Sequence, residues 1–462
     1  MAQGVRFVCN SCDHTIEAWD DGRDVAYESP AAIALTGCCA SNDAVEIAQV
    51  AIPMRRITIF VGLCVLALAS SGVAQEVGWH AFEQNDIAAA SRWADESLAQ
   101  DAANQRARHL RILTSFLSGQ FEESLADYEQ LAADYSGRNE TLLRVVLDAY
   151  LHLERYSDAA RFARTIDGAE AEHMWLDDRA AHPPTVQLDG TTIVPFAATN
   201  FLGDLMPAVE VELNGIPLVA HLDTGGSFIT MAPGRARQLG IETRGLGTGV
   251  ANNQETPIRR GLADTLILGA AHFTNVQVTT VESLTGQLES LVILGTRILS
   301  NFLMTWDNER GRLILTERDD DTARARHLME HAGGDEFVRF YLHSDHYIWI
   351  NGSVMDREAL MFLDTGLVTL DPSGQQPAGG IPASLLDVWD LAYVDGFTAP
   401  VSVHVGPVSR EVSSFLVFPD RRNLPRLENT GPDVLLSHGF LKHFVWTLDF
   451  DDYRLFVRPV TP

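Results

Sequence analysis

The stretches HLDTGGSFIT, residues 221–230, and FLDTGLVTLD, residues 362–371, share Leu-Asp-Thr-Gly behind an apolar lead-in. Each reads as a strand that ends on an aspartate and turns sharply at a glycine. The flanking sequence explains why one chain of 462 residues carries both. VILGTRILSNFLMTWDNERGRLIL (292–315) aligns without a gap on VLLSHGFLKHFVWTLDFDDYRLFV (434–457). Val292/Val434, Leu294/Leu436, Leu299/Leu441, Phe302/Phe444, Thr305/Thr447, Asp307/Asp449, Arg312/Arg454 and Leu313/Leu455 coincide. Their offset is 434 − 292 = 142, and that of Asp223 and Asp364 is 364 − 223 = 141. Upstream, Asn214-Gly215 and Asn351-Gly352 read as equivalent hairpin turns, with a few residues inserted in the second copy. Short β-rich runs such as TLILGAAHFTNVQVTTV and VSVHVGPVSREVSSFLVF alternate with turn residues throughout this half. The expectation is one β-domain written twice, over 190–320 and 330–462.

Each copy resembles a retropepsin-type aspartyl protease domain. That family's pattern is a strand ending in Leu-Asp-Thr-Gly, a glycine-rich flap, and an apolar-apolar-Gly segment leading into a short helix and closing strands. The first copy has HLDTGGS, GLGTGVANN and VILGTRILSNF; the second has FLDTGLV, no legible flap, and VLLSHGFLKHF. Two such units in one chain resemble the pepsin-like arrangement. The resemblance therefore implies a mainly β fold of two tandem retropepsin-like β-barrel lobes related by a pseudo-two-fold axis. It implies Asp223 and Asp364 as a catalytic pair, with Thr224 and Thr365 hydrogen-bonded across the axis to lock them. Gly225 and Gly366 would let the backbone turn and present N–H groups near the carboxylates. Gly295 would pack under the first aspartate's loop, and Ser227 would hydrogen-bond the carboxylate. The implied partner is a polypeptide lying extended between flap and dyad, like an added strand. No cofactor and no metal is implied. The second copy departs at Leu367-Val368, which replaces Gly226-Ser227, and at Ser437, which replaces Gly295.

The chemistry explains why the pattern needs two carboxyls. Like charges at short range do not both ionise cheaply, so the pair shares a proton and one pKa rises. The ionised member can deprotonate a water while the protonated one hydrogen-bonds the attacked carbonyl. Other readings stay open. Asp-Thr-Gly is also a tight turn capped by an Asx hydrogen bond. The lobes could form an inactive module that holds peptides or a cell-wall component, or the first copies of two chains could pair.

Residues 78–166 are helical in pattern and free of proline. Ile87, Phe121 and Tyr156 fall in register with spacings of 34 and 35, which resembles the tetratricopeptide repeat. An all-α domain is expected over 75–180, either docking a partner protein or packing on the β-domains. Ahead of it, MRRITIFVGLCVLALASSGVAQE from Met54 has the layout of a secretory signal peptide over 54–74, cut near Ala74–Gln75. Its apolar run is short for a membrane span, so no stable membrane insertion is expected after cleavage. Residues 1–53 read as a gene-model extension or a small head, in which Cys9 and Cys12 have knuckle spacing but Cys38-Cys39 makes a poor second knuckle for zinc. No cysteine follows Cys64, so the bulk of the chain has no disulfide. An exported, periplasmic or envelope protein is the expectation. The net charge of −28 repels phosphate backbones and argues against nucleic acid. HLMEH (327–331) lacks the metalloprotease order, and the histidines at 327–346 read as solvent-facing or interlobe.

Overall fold

The computed structural model describes residues 4–8, 15–19, 76–166, 170–251, 254–421 and 424–460. The expected signal segment and all five cysteines lie outside the described residues. The chain divides into two compact units, Met1–Ser71 and Gly72–Pro462. In the first, β1 (Gly4–Val8) and β2 (Thr15–Trp19) pair antiparallel.

The second unit opens with helices: α1 (76–83), α2 (Ile87–Gln100), α3 (Gln105–Leu117), α4 (Phe121–Gln130), α5 (Glu140–His152), α6 (Tyr156–Ala163) and α7 (Glu170–Ala181). Asp86, Asn104 and Asn139 cap α2, α3 and α5 by accepting a backbone N–H three residues on. Ile87, Phe121 and Tyr156 each begin the second helix of a pair. Asn85, Gly119 and Glu154, all at positive φ, make the tight turns just before them. The 34–35 residue period is thus a series of three helix–turn–helix pairs. Gly119 is doubly constrained, because a Cβ there would strike the Tyr453 ring.

The first lobe contains β3 (Thr185–Gln187), β4 (Thr191–Pro195), β5 (Ala208–Leu213), β6 (Ile216–Asp223), β7 (Ile229–Met231), β8 (Thr243–Ala251), β9 (Gln254–Leu268), β10 (Ala271–Val281), β11 (Val292–Gly295), β12 (Phe302–Asp307) and β13 (Arg312–Glu317). Strands β10-β7-β11-β6-β5-β9 close on themselves through β9–β10. The barrel is filled by Val209, Val211, Leu222, Ile229, Leu266, Val278 and Leu294. Helix α8 (Pro233–Gln238) follows β7, and α9 (Thr296–Leu299) follows β11. The long β8–β9 hairpin is the glycine-rich flap.

After α10 (Asp321–His331) the second lobe repeats the plan: β14 (Val338–His343), β15 (Tyr347–Val354), β16 (Arg357–Leu363), β17 (Gly379–Pro382), α11 (Ala383–Trp389), β18 (Tyr393–Val394), β19 (Phe397–Thr398), β20 (Val401–Val405), β21 (Val408–Val412), β22 (Leu416–Phe418), β23 (Val434–Leu436), α12 (His438–Leu441), β24 (Phe444–Asp449) and β25 (Arg454–Pro459). Its flap is reduced to the two-residue strands β18 and β19. One expectation is corrected here. Asn351-Gly352 lies inside β15, and the hairpin turns at Met355-Asp356, both at positive φ. That turn is offset from Asn214-Gly215 by 355 − 214 = 141, the same as the aspartates, so nothing is inserted.

The lobes join through a sheet ordered β14-β25-β24-β12-β13-β4. At its centre β12 and β24 run antiparallel with Thr305 opposite Thr447, their hydroxyls 2.6 Å apart. Residues equivalent by duplication thus face each other, which places the pseudo-two-fold axis between them. Trp306 and Trp446 meet close by, tilted at 34° with 4.5 Å between ring centroids. His327 donates and accepts between Thr305 and Thr316, buried at this interlobe centre. The repeated acid–base pairs have one job: Asp307–Arg312 and Asp449–Arg454 each brace a hairpin at 2.8 Å.

The helices pack on the second lobe. In β14–β16 and β23, Phe340, Leu342, Ile348, Ile350, Met361, Leu363, Val434 and Leu436 fill the barrel. The alternate residues Tyr341, Trp349, Leu360, Phe362 and Leu435 enter a separate core with Leu113, Phe116, Val145 and Val146 of the helices. Both faces of this sheet are covered, so its strands read as nearly continuous apolar runs.

Candidate active site

Asp223 ends β6 and Asp364 follows β16. Each turns back on itself: Gly225 N–H donates to Asp223 Oδ1 and Gly366 N–H to Asp364 Oδ1, both at 2.8 Å. The Asx-capped turn and the paired carboxyls are therefore the same structure. The two threonines cross over the axis. Thr224 Oγ1 donates to Leu363 O at 2.9 Å and accepts Thr365 N–H at 3.0 Å. Thr365 Oγ1 donates to Leu222 O at 3.0 Å and accepts Thr224 N–H at 3.0 Å. Both threonines are buried, so each one's hydroxyl and N–H find their partners in the opposite lobe.

This lock leaves no room at the glycines. A Cβ on Gly225 would sit 2.5 Å from the Asp364 carboxyl, and one on Gly366 would sit 2.6 Å from that of Asp223. Gly295 lies under the first loop, where a Cβ would meet Ser227 O at 2.3 Å. The start of α9 holds that loop: Thr296 N–H donates to Gly226 O and Thr296 Oγ1 to Thr224 O. In the second lobe residues 367–378 make a longer excursion, ordered around Asp371, which accepts from Ser373, Gln375 and Ser414. Ser437 is accommodated there because its hydroxyl donates to Pro377 O and accepts Gly439 N–H at the start of α12.

Both carboxyls line the cleft, and each lies against the other's glycine turn, which sets them side by side. Burial pushes Asp223 up despite the Gly225 N–H. Burial and then the Asp223 charge push Asp364 well above the usual carboxylate range. Such a pair holds one proton between two acids.

Ser227 does not do what was expected of it. Its hydroxyl donates to Asp345 Oδ2 at 2.5 Å, not to Asp223. The β14–β15 hairpin brings an ionised acceptor to it, and a charge-assisted bond wins. Burial opposes ionisation of Asp345, but His346 and Ser227 hold it well below its ordinary value. His346 Nδ1 is bonded to Asp345 Oδ1. Asp345 and His346 thus stand in the cleft, where sequence reading had only solvent-facing or interlobe histidines. A polar tip, His-Ser-Asp-His, looks like any hairpin turn, and its partner lies 118 residues earlier.

The cleft of about 830 Å³ is bounded by both aspartates, the Ser344–Tyr347 tip, and Gly247, Ile258 and Arg260 of the flap. One wall is helical: Arg144, Asp148 and Leu151 of α5, Tyr156 of α6, and Trp175 and Arg179 of α7. Helix α7 also grips the flap through Arg244–Asp178 at 2.7 Å, and Leu262 packs on the cluster that holds Trp175 and Leu176. Among the described residues no cluster of His, Cys, Asp and Glu has the make-up of a metal site.

Residues 209–298 match the family model described as aspartyl protease. Among solved structures, a retropepsin-like aspartic protease from Rickettsia conorii is 21% identical, over 29% of this chain and 93% of that one, with a TM-score of 0.23. No curated protein matches. The Asp-Thr-Gly turn, the β8–β9 hairpin and the apolar-apolar-Gly segment of the first lobe all lie inside the matched span, which is where the chain is similar to the aspartyl protease family.

Proposed function

We propose that the chain is an aspartic-type endopeptidase whose dyad is Asp223 and Asp364. The observation that carries this reading is the pair of carboxyls held side by side within one chain by the crossed threonines. A peptide lies extended in the cleft beneath the β8–β9 flap, with its scissile carbonyl over the dyad. The ionised carboxylate takes a proton from water as the water oxygen bonds to the carbonyl carbon. The protonated carboxyl hydrogen-bonds the carbonyl oxygen, which gains charge. Collapse of the tetrahedral diol breaks the C–N bond, and the leaving amine takes its proton from the dyad. The carbonyl oxygen, protonated by the acid as the diol forms, gives that proton back to the dyad as the C=O re-forms, so the pair is again singly protonated and acid and base belong to the pair rather than to fixed residues. We place the protein in the periplasm or envelope, on the signal-like segment and the cysteine-free body.

The test is cleavage of an unfolded protein by the chain from residue 75 onward. Asp223→Asn and Asp364→Asn should each reduce the rate by at least about 10²–10⁴-fold, the range of a general acid–base group, with unchanged thermal unfolding. Activity that survives Asp364→Asn overturns the intramolecular dyad. An inert wild type that still captures extended peptides points instead to a binding module.

A further inference from the structure

Resting on the peptidase reading, we propose that the helical segment builds a specificity subsite into the cleft: Asp148 of α5, with Asp345 opposite, receives a basic side chain of the substrate.

Asp148 is 6% exposed and lines the same cleft as the dyad. Among the described residues it has no ion-pair partner within 4.0 Å, and its hydrogen bond comes from Ser344 Oγ at 3.2 Å. The cations around it are engaged elsewhere. Arg144, one turn back on α5, pairs with Glu172 of α7 at 2.9 Å, and Arg260 of the flap turns to the same glutamate at 3.8 Å. Arg297 of α9 donates to Leu151 O and contacts His152. On the facing hairpin, Asp345 is satisfied by Ser227 and His346.

A buried carboxylate without a counter-ion is costly, and a cation supplied by a ligand removes that cost. A lysine ammonium or arginine guanidinium reaching this wall meets two carboxylates. A neutral or acidic side chain leaves Asp148 uncompensated or repelled. Burial, then the Asp345 charge, push Asp148 up to about 7, against the pull of Arg144. The preference for a basic side chain is therefore strongest when Asp148 is ionised and fades as pH falls through that value.

The experiment uses binding, not turnover. Dye-labelled hexapeptides carrying lysine, norleucine or glutamate at each position in turn are titrated by fluorescence anisotropy against Asp223→Asn and Asp148→Asn/Asp223→Asn chains. At about pH 8 one position should favour lysine over norleucine by about tenfold or more, the scale of a charge-assisted hydrogen bond. The preference should shrink at about pH 5.5 and vanish in the double variant. Absence of any lysine preference, or one that survives Asp148→Asn, overturns the proposal. Asp148→Leu, which also removes the charge, replaces the amide if that variant fails to fold. Both chains are unable to cleave, so failure of the peptidase reading shows in the wild-type assay and failure of the subsite shows here.

Discussion

At the scale of single residues, the threonine pair does more than position the aspartates. Each hydroxyl closes two hydrogen bonds that nothing else nearby can make. Thr224→Val keeps the shape but leaves a buried Leu363 O and a buried Thr365 N–H unpaired, at about 1–3 kcal/mol each. Denaturant unfolding should show Thr224→Val destabilised by roughly 2–6 kcal/mol and Thr224→Ser by far less. Equal loss in both would mean the methyl group, not the hydroxyl, matters. These threonines, the three buried-approach glycines and both aspartates were legible because the duplication marks them twice or the family pattern places them. Ser227 was legible only as a donor. Its acceptor is decided by tertiary structure, since Asp345 arrives from the other copy. Asp148 was not legible at all, because an acidic residue on an exposed-looking helix becomes a cleft wall only after docking.

At the scale of elements, the second lobe's hairpin turn hides from pattern reading. Asn351-Gly352 has turn chemistry but sits in β15, and Gly352 is there because a Cβ would strike His404 O on β20 at 2.6 Å. The real turn puts Met355 in the left-handed region, which costs an ordinary residue about 1–2 kcal/mol. Replacing Met355-Asp356 with Asn-Gly should therefore raise stability by about 1 kcal/mol, read as a higher unfolding midpoint. A lowered midpoint would show that the methionine makes a contact worth more than the strain. The flap makes a similar point about strength. Its ion pair to α7, Arg244–Asp178, is exposed and so weak in water. Leu262 against the Trp175 cluster is the firmer hold.

At the scale of the whole molecule, buried histidines set the response to acid. His109, His327 and His438 are buried, and burial lowers them to about 4, about 3 and about 3. In the unfolded chain each imidazole takes a proton near its ordinary value, about 6.5. Between those pH values the unfolded state binds more protons, so their contribution is complete above that value and drains away as pH falls. Each costs about 1.4 kcal/mol per pH unit inside its window. The raised carboxyls of Asp148, Asp223, Asp364 and Asp433 work in the opposite sense, losing stability as pH rises, but His152, His221, His331, His343 and His443 are lowered as well, so among the described residues lowered histidines outnumber raised carboxyls eight to four. Calorimetry should show the melting temperature falling from neutral pH toward about pH 4, and a flat profile would contradict the histidine account. The two-lobe plan itself was legible because a register offset of 141–142 survives in the sequence. The docking of helices on the second lobe was not, although the apolar runs YIWI of β15 and ALMFL of β16 carried its signature. The strand pair centred on Thr305 and Thr447 has one more implication. In a symmetric assembly of identical subunits every substitution appears on both sides. Tethering the twins on one polypeptide keeps the sibling at high effective concentration and frees each to drift by itself. One twin carries the long arm that overhangs the cleft, while the other has only a stub in its place and offers its outer sheet face as the bed for the helices.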